Sequence, residues 1–327
     1  MINAIVCIGC FQLMIIYFII IGDIITSFSL EIFNGHVGIL VSRTFYILLV
    51  AGFLSPQIFK KEMHELKITS FFLFASISLF VVVFAQEVLL SGHITADDIA
   101  SPKPGIGLVT AVSVFITAYQ YQFNLYATVK SMRRPAERYK AITLGLVMVI
   151  TIYTTLSILS LLLFGSTVRP DVMQNVSLMA DSLESSVLRI AFTLVIMCHV
   201  PFAFFSCKDA FLLILDEMDR RSISRELGLR ITGGVKEYQG EMRPVLYYSG
   251  TVLIYLFSVL LAVAIRDVGV VFSIGAAIAG SSAQFIWPGY FYLKSENGSL
   301  RVMAWLQLAV GVALFFGLLA GTLYGMI

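Results

Sequence analysis

The chain has 327 residues and a net charge of +2, with 58 % hydrophobic and only 13 % charged residues, and its mean hydropathy is +0.91. A soluble domain is typically about 45–50 % apolar and about 25 % charged, so this composition excludes a soluble globular enzyme, a disordered chain and a nucleic-acid binder. What remains is an all-α polytopic membrane protein with one transmembrane domain over 1–327.

A helix needs about 20 apolar residues to cross the hydrocarbon core. Runs of that length predict nine spans, at about 4–22, 41–58, 68–90, 106–129, 140–164, 187–207, 246–265, 269–292 and 302–325. They are expected to be helical because lipid leaves no other open segment with its backbone satisfied, and they do not alternate in polarity as barrel strands do. The first run lacks a basic leader and a small-residue cleavage site, so it reads as a retained span. Cys7 and Cys10 have the C-x-x-C spacing inside that run, without a second ligand pair, and read as structural.

Polar groups at membrane depth are costly and usually face a cavity or a neighbouring helix. In the first span Tyr17 precedes Asp23, which closes the run; Glu87 stands beside Gln86 near the end of the third. The fourth span carries the densest polar set, Tyr119-Gln120-Tyr121-Gln122-Phe123-Asn124. Two readings fit it: a substrate-lining or locally unwound helix whose free groups bind a zwitterion, or polar contacts between packed helices. Asn175-Val176-Ser177 is a glycosylation acceptor sequence on the expected outer side, and Asn297-Gly298-Ser299 is a second one on the inner side. In the sixth span His199 precedes Pro201, which kinks a helix and frees a carbonyl one turn back. That imidazole either takes a coupling proton or is a neutral group bonded to a backbone carbonyl. Arg266-Asp267 reads as a local pair in a tight turn. Gly275-Ala276-Ala277 to Gly280-Ser281-Ser282, and Gly317, Gly321 and Gly325, are small-residue faces that let helices approach closely.

The 209–244 stretch is the one long connection, and it is charged. With the N-terminus inside, the 22 Lys and Arg residues divide 17 to 5 in favour of the inner connections. The N-terminus is therefore expected on the Lys/Arg-rich, cytoplasmic-like side and the C-terminus opposite. No P-loop, no His-Glu-x-x-His and no His/Cys cluster is present, so no enzymatic role, cofactor or metal is expected.

Several segments together resemble one family, the amino acid/auxin permeases, nearest to their sodium-coupled neutral amino acid transporter branch. Arg266-Asp267-Val268-Gly269 through Gly275-Ala276, continuing to Phe285-Ile286-Trp287-Pro288-Gly289-Tyr290-Phe291-Tyr292-Leu293-Lys294, is similar to the family's "I-x-D-V … G-A … F-I-x-P-G-x-F-Y-L" segment. Tyr17 to Asp23 resembles its "Y-x-x-x-x-G-D" helix, Tyr153 through Gly165 its "Y … G-Y-L-x-F-G" helix, and Pro201 through Lys208-Asp209-Ala210 its "P … F-x-x-R-D-A" segment. The resemblance implies a leucine-transporter-like fold of the APC superfamily, built from two five-helix inverted repeats and an eleventh helix. Counted by motif, the nine spans match family helices three to eleven, so the fold is expected to be a truncated one without the first two.

Polar residues at depth and the resemblance together nominate Tyr17, Tyr119, Gln120, Gln122 and Asn124 as substrate-binding, and Thr193 and His199 as ion-coupling. Tyr121-Gln122 stands where relatives often have a Cys-His pair, and Met197-Cys198-His199 where sodium-using relatives have hydroxyl residues. Secondary active transport of amino acids, proton-coupled or uncoupled rather than sodium-coupled, is the expectation. The alternative is a non-transporting subunit of a membrane complex, its open surface covered by a partner protein or by a second copy in a homodimer.

Overall fold

The first helix, α1 (Ile2–Ile32), is apolar on every side, and a helix of that kind belongs inside a core. The computed structural model describes residues 2–33, 38–39, 42–59, 66–91, 105–121, 132, 134–177, 183–219, 244–295 and 300–326. There α1 is the hub of the bundle, with 56 % of its most apolar stretch buried. The described residues are helices and connecting turns with no strand. After α1 come α2 (Arg43–Leu54), α3 (Leu66–Ser91), α4 (Ile106–Ala118), α5 (Pro135–Phe164), a short α6 (Val172–Val176) and α7 (Leu183–Asp219). They are followed by α8 (Pro244–Ala264), α9 (Val268–Gly275), α10 (Trp287–Lys294) and α11 (Arg301–Met326). Two π-helical turns, Ala276–Gly280 and Ser282–Ile286, carry α9 into α10, making one 27-residue apolar helix.

Seven of these helices are long and apolar enough to cross a membrane among the described residues, against the nine spans expected. The other two expected spans are represented by α2, with 12 residues, and α4, with 13. The helix of α2 tightens into a 3₁₀ turn at Ser55-Pro56-Gln57. A 13-residue helix rises only about 20 Å, short of a core about 30 Å thick. The chain leaves α4 at Tyr119, inside the expected fourth span.

Successive long helices run antiparallel. At the end holding the N-terminus, here the proximal end, Cys7 of α1 meets Cys207 of α7 with the sulfurs 3.9 Å apart. At the distal end Arg43 of α2 reaches Asp23 of α1 at 2.6 Å and the carbonyl of Ile265, just past α8. Residues 209–219, part of the expected long connection, continue α7 as helix; the rest of 209–244 up to Arg243 lies outside the described residues, as does Asn297-Gly298-Ser299. Only 6 % of the most apolar stretch of α5 is buried among the described residues. Proline at its first position and Gly165 at φ 52° just past its end set its limits.

Three glycines of the small-residue faces work within the chain. Gly275 lies against the Gln12 side chain, Gly280 against Ile116, and Gly321 against Val109. Gly289 is the tightest case between backbones: a Cβ there would stand 2.9 Å from the Ala304 carbonyl oxygen and 3.3 Å from the Leu308 nitrogen. Neither atom belongs to a movable side chain, so Gly289→Ala must push α10 off α11. It is expected to lower stability by about 1–3 kcal/mol, the range for overpacking, read as a fall in the thermal unfolding midpoint in detergent. Gly317→Ala is the control. A Cβ there meets nothing within 4 Å, and it should be neutral or mildly stabilising.

Candidate functional site

A cavity of about 970 Å³ opens between α4, α5, the 168–172 turn, the start of α9 and the end of α11. Its walls are mostly apolar, as ligand pockets usually are. At its distal mouth stand Arg169 and Asp267, and at its deep end Tyr119 and Tyr153. The two charges at the mouth do not pair with each other: Arg169 bonds the Gln174 amide oxygen at 3.3 Å, and Asp267 accepts the Gly269 N–H at 2.7 Å as the cap of α9. The expected Arg266–Asp267 pair is therefore not formed, because the carboxylate turns back to an orphan amide at its own helix start. At the deep end the Tyr119 and Tyr153 rings meet edge to face with centroids 5.6 Å apart, and Phe115 packs on Tyr119 at 4.8 Å.

Among the described residues, Tyr119 is the one expected substrate residue that lines this cavity. Gln120 follows it, with both amide atoms buried and without a hydrogen-bond partner among the described residues. Tyr17 is half-buried on α1, within electrostatic reach of Tyr153. Gln122 and Asn124 lie outside the described residues. Thr193 and His199, the expected ion-coupling pair, are on α7 and do not line the cavity. Thr193 donates to the Arg189 carbonyl at 2.8 Å, and His199 Nδ1 is 2.8 Å from the Val195 carbonyl. Each side chain is thus engaged with its own helix one turn back.

A further polar seam runs behind the cavity at mid-depth. Gln12 of α1 donates to Thr117 at 3.4 Å while its carbonyl oxygen is buried without a hydrogen-bond partner among the described residues. Gln284, in the second π-helical turn, donates to the Ile116 carbonyl at 2.6 Å, and Gln307 of α11 donates to the Gln284 carbonyl at 3.1 Å. Past the end of α4 the Tyr119 and Gln120 amides bond the Phe115 and Thr117 carbonyls, and Gln284 satisfies the Ile116 carbonyl between them. None of these three glutamines was nominated from sequence. Their signal was a lone amide in each of three apolar runs.

At the distal end the short α6 carries a second polar group of residues. Asp171 is only 7 % exposed and accepts the Met173 N–H at 3.0 Å. Burial pushes its carboxyl up to about 6; the Met173 bond opposes that and the nearby Asp23 adds to it. Asn175, expected as a glycan acceptor, is 1 % exposed. It donates to the Thr167 carbonyl and accepts the Arg169 N–H, both at 2.9 Å, so the folded chain offers no free amide there.

A helical bundle with a helix ended at mid-depth, π-helical turns beside it and a cavity bearing both signs of charge has the build of a solute carrier. Comparison with known families decides the matter: the model described as transmembrane amino acid transporter protein matches residues 1–327. The chain belongs to that family. Its family is one of transporters, not enzymes. The chain is 25 % identical to amino acid transporter AVT6C of Arabidopsis thaliana, over 97 % of this chain and 74 % of that protein. It is 26 % identical to amino acid transporter AVT6D of the same plant, over 93 % and 70 %. It is 20 % identical to vacuolar amino acid transporter 6 of Saccharomyces cerevisiae, over 88 % and 71 %. No solved structure matches this amino acid transporter family member.

Proposed function

We propose that the protein carries out secondary active transport of amino acids, proton-coupled or uncoupled rather than sodium-coupled. Its N-terminus would lie on the Lys/Arg-rich, cytoplasmic-like side, as the 17 to 5 division of basic residues indicates. The observation that carries the reading is the cavity with Arg169 and Asp267 at its mouth and Tyr119 at its floor. An α-amino acid is a zwitterion, and opposite unpaired charges on one cavity suit its two ends. Gln120, next to Tyr119 in sequence, has a buried amide with no hydrogen-bond partner among the described residues, and Gln122 and Asn124 continue the same polar segment. The names of the plant and yeast relatives point to the same class of substrate.

The test is uptake of radiolabelled neutral and cationic amino acids by purified protein in liposomes, with and without imposed pH and sodium gradients. Uptake above empty liposomes is expected, raised by an inward proton gradient or by internal amino acid and unaffected by sodium. Tyr119→Ala is expected to reduce it about tenfold, the value of one lost hydrogen bond to a charged group. Tyr139→Ala, on an exposed position of α5 away from the cavity, should leave it unchanged. No uptake from folded, monodisperse protein would overturn the reading.

A further inference from the structure

We propose that Asp171 is the proton-binding site of this carrier, and that its protonation state reaches the amino acid through Asp23, Gln174 and Arg169. The inference rests on the transport reading above and deepens it. Asp171 is buried, one carboxylate oxygen takes the Met173 N–H, and Oδ2 is buried with no hydrogen-bond partner among the described residues. An ionised oxygen buried without a donor is heavily penalised, and a proton on it removes the penalty. Among the described residues no cation pairs with it instead. On α1 the facing acid is Asp23, and Arg43 of α2 bonds Asp23 at 2.6 Å rather than Asp171. Glu31, further along α1, is held by Arg189 of α7. Glu184 starts α7, Arg169 precedes Asp171 and bonds Gln174, and Arg266 and Asp267 close the α8–α9 link, where Asp267 caps α9.

The route to the cavity is short. Gln174 hydrogen-bonds Asp23 with its side chain and accepts Arg169 with its amide oxygen. Arg169, Pro170 and Val172, on either side of Asp171 in sequence, line the cavity, while Asp171 itself does not. In the proposed step a proton from water on the distal side adds to Oδ2, an O–H bond forms and the carboxylate becomes neutral. Release returns the proton to water. While Asp171 is neutral, Asp23 stays with Arg43 and Gln174, and Gln174 holds Arg169 at the mouth. When Asp171 ionises, its repulsion of Asp23 loosens that chain and with it the grip on the substrate carboxylate.

The experiment compares wild type with Asp171→Asn, which keeps an acceptor for the Met173 N–H. In liposomes with an inward proton gradient, wild type is expected to accumulate amino acid, and the variant to lose accumulation while retaining exchange against internal amino acid. Gln174→Ala should likewise uncouple. A readout independent of transport is the infrared carboxylic acid band of the purified protein, expected to titrate with a midpoint near the value of about 6 given by burial and to be missing in Asp171→Asn. Stability gives a third readout. A carboxyl that holds its proton more tightly folded than unfolded contributes stability at low pH and loses it as pH rises through its folded value. The wild-type unfolding midpoint should therefore fall as the pH rises from about 4 to about 6, and that slope should flatten in the variant. If uptake is absent but the band titrates as stated, the transport reading fails and the proton site stands. Accumulation by Asp171→Asn under a proton gradient, a band indifferent to the substitution, or sodium dependence removed by it would overturn the proposal.

Discussion

Glu31→Ala is expected to be the most destabilising single substitution among the polar contacts of the bundle. Its partner Arg189 is fully buried, with two guanidinium nitrogens on the two carboxylate oxygens at 2.6 and 2.9 Å. Removing Glu31 leaves that cation with the Ser27 hydroxyl at 3.3 Å and the Phe28 ring at 4.1 Å. Breaking a buried pair by deleting one partner costs about 3–5 kcal/mol, because the remaining charge is stranded. Glu31 is one-third exposed, so water softens the loss and about 3 kcal/mol is the expected figure. The measurement is the thermal unfolding midpoint in detergent, beside Glu137→Ala. That change removes an exposed pair with Arg134 and should matter little. Glu31→Ala with Arg189→Met should recover most of the loss, since an apolar replacement of the whole pair is often neutral. Equal midpoints for Glu31→Ala and Glu137→Ala would sink this account.

How far sequence reaches is plainest along α4. Composition and run length identify a membrane-embedded helical chain, because lipid permits few alternatives. The polar string from Tyr119 to Asn124 marks where the fourth run departs from a simple apolar helix, and Tyr119 does line the cavity. Hydropathy does not reveal that the helix ends at Ala118, since polar side chains inside an unbroken run look alike in a helix and in a break. Gln12, Gln284 and Gln307 gain meaning only from their neighbours across the bundle: the Ile116 carbonyl that Gln284 meets is 168 residues away in sequence. Nothing in the sequence sets Asp171 apart from other acids, and Asn175-Val176-Ser177 reads as an accessible acceptor. Their burial comes from the way α6 folds against α1 and α7, which no local pattern encodes. His199 went the other way. Its place before Pro201 was legible, and the structure brings its ring to the Val195 carbonyl of its own helix.

Arg169→Ala and Asp267→Asn are expected to weaken amino acid uptake in separable ways. If the guanidinium at the mouth holds the substrate carboxylate and Asp267 holds the ammonium, each variant loses one charge-assisted bond. Such bonds are worth about 1.5–3 kcal/mol, and at this exposed mouth the lower end applies, a rise in KM of about tenfold. Asparagine at 267 keeps an oxygen for the Gly269 N–H, so the cap of α9 survives and the effect reports the charge. Competition assays then tell the two ends apart. Analogues lacking the carboxylate should lose their disadvantage against amino acids in Arg169→Ala, and analogues lacking the amine should do so in Asp267→Asn. The cavity walls around Phe115 and Tyr153 are untouched by either change, so selectivity among side chains should hold. If each variant weakened both classes of analogue equally, the charges would be setting the approach of solute to the mouth, a long-range effect that added salt abolishes, and the substrate ends would have to be held deeper, at Tyr119 and Gln120.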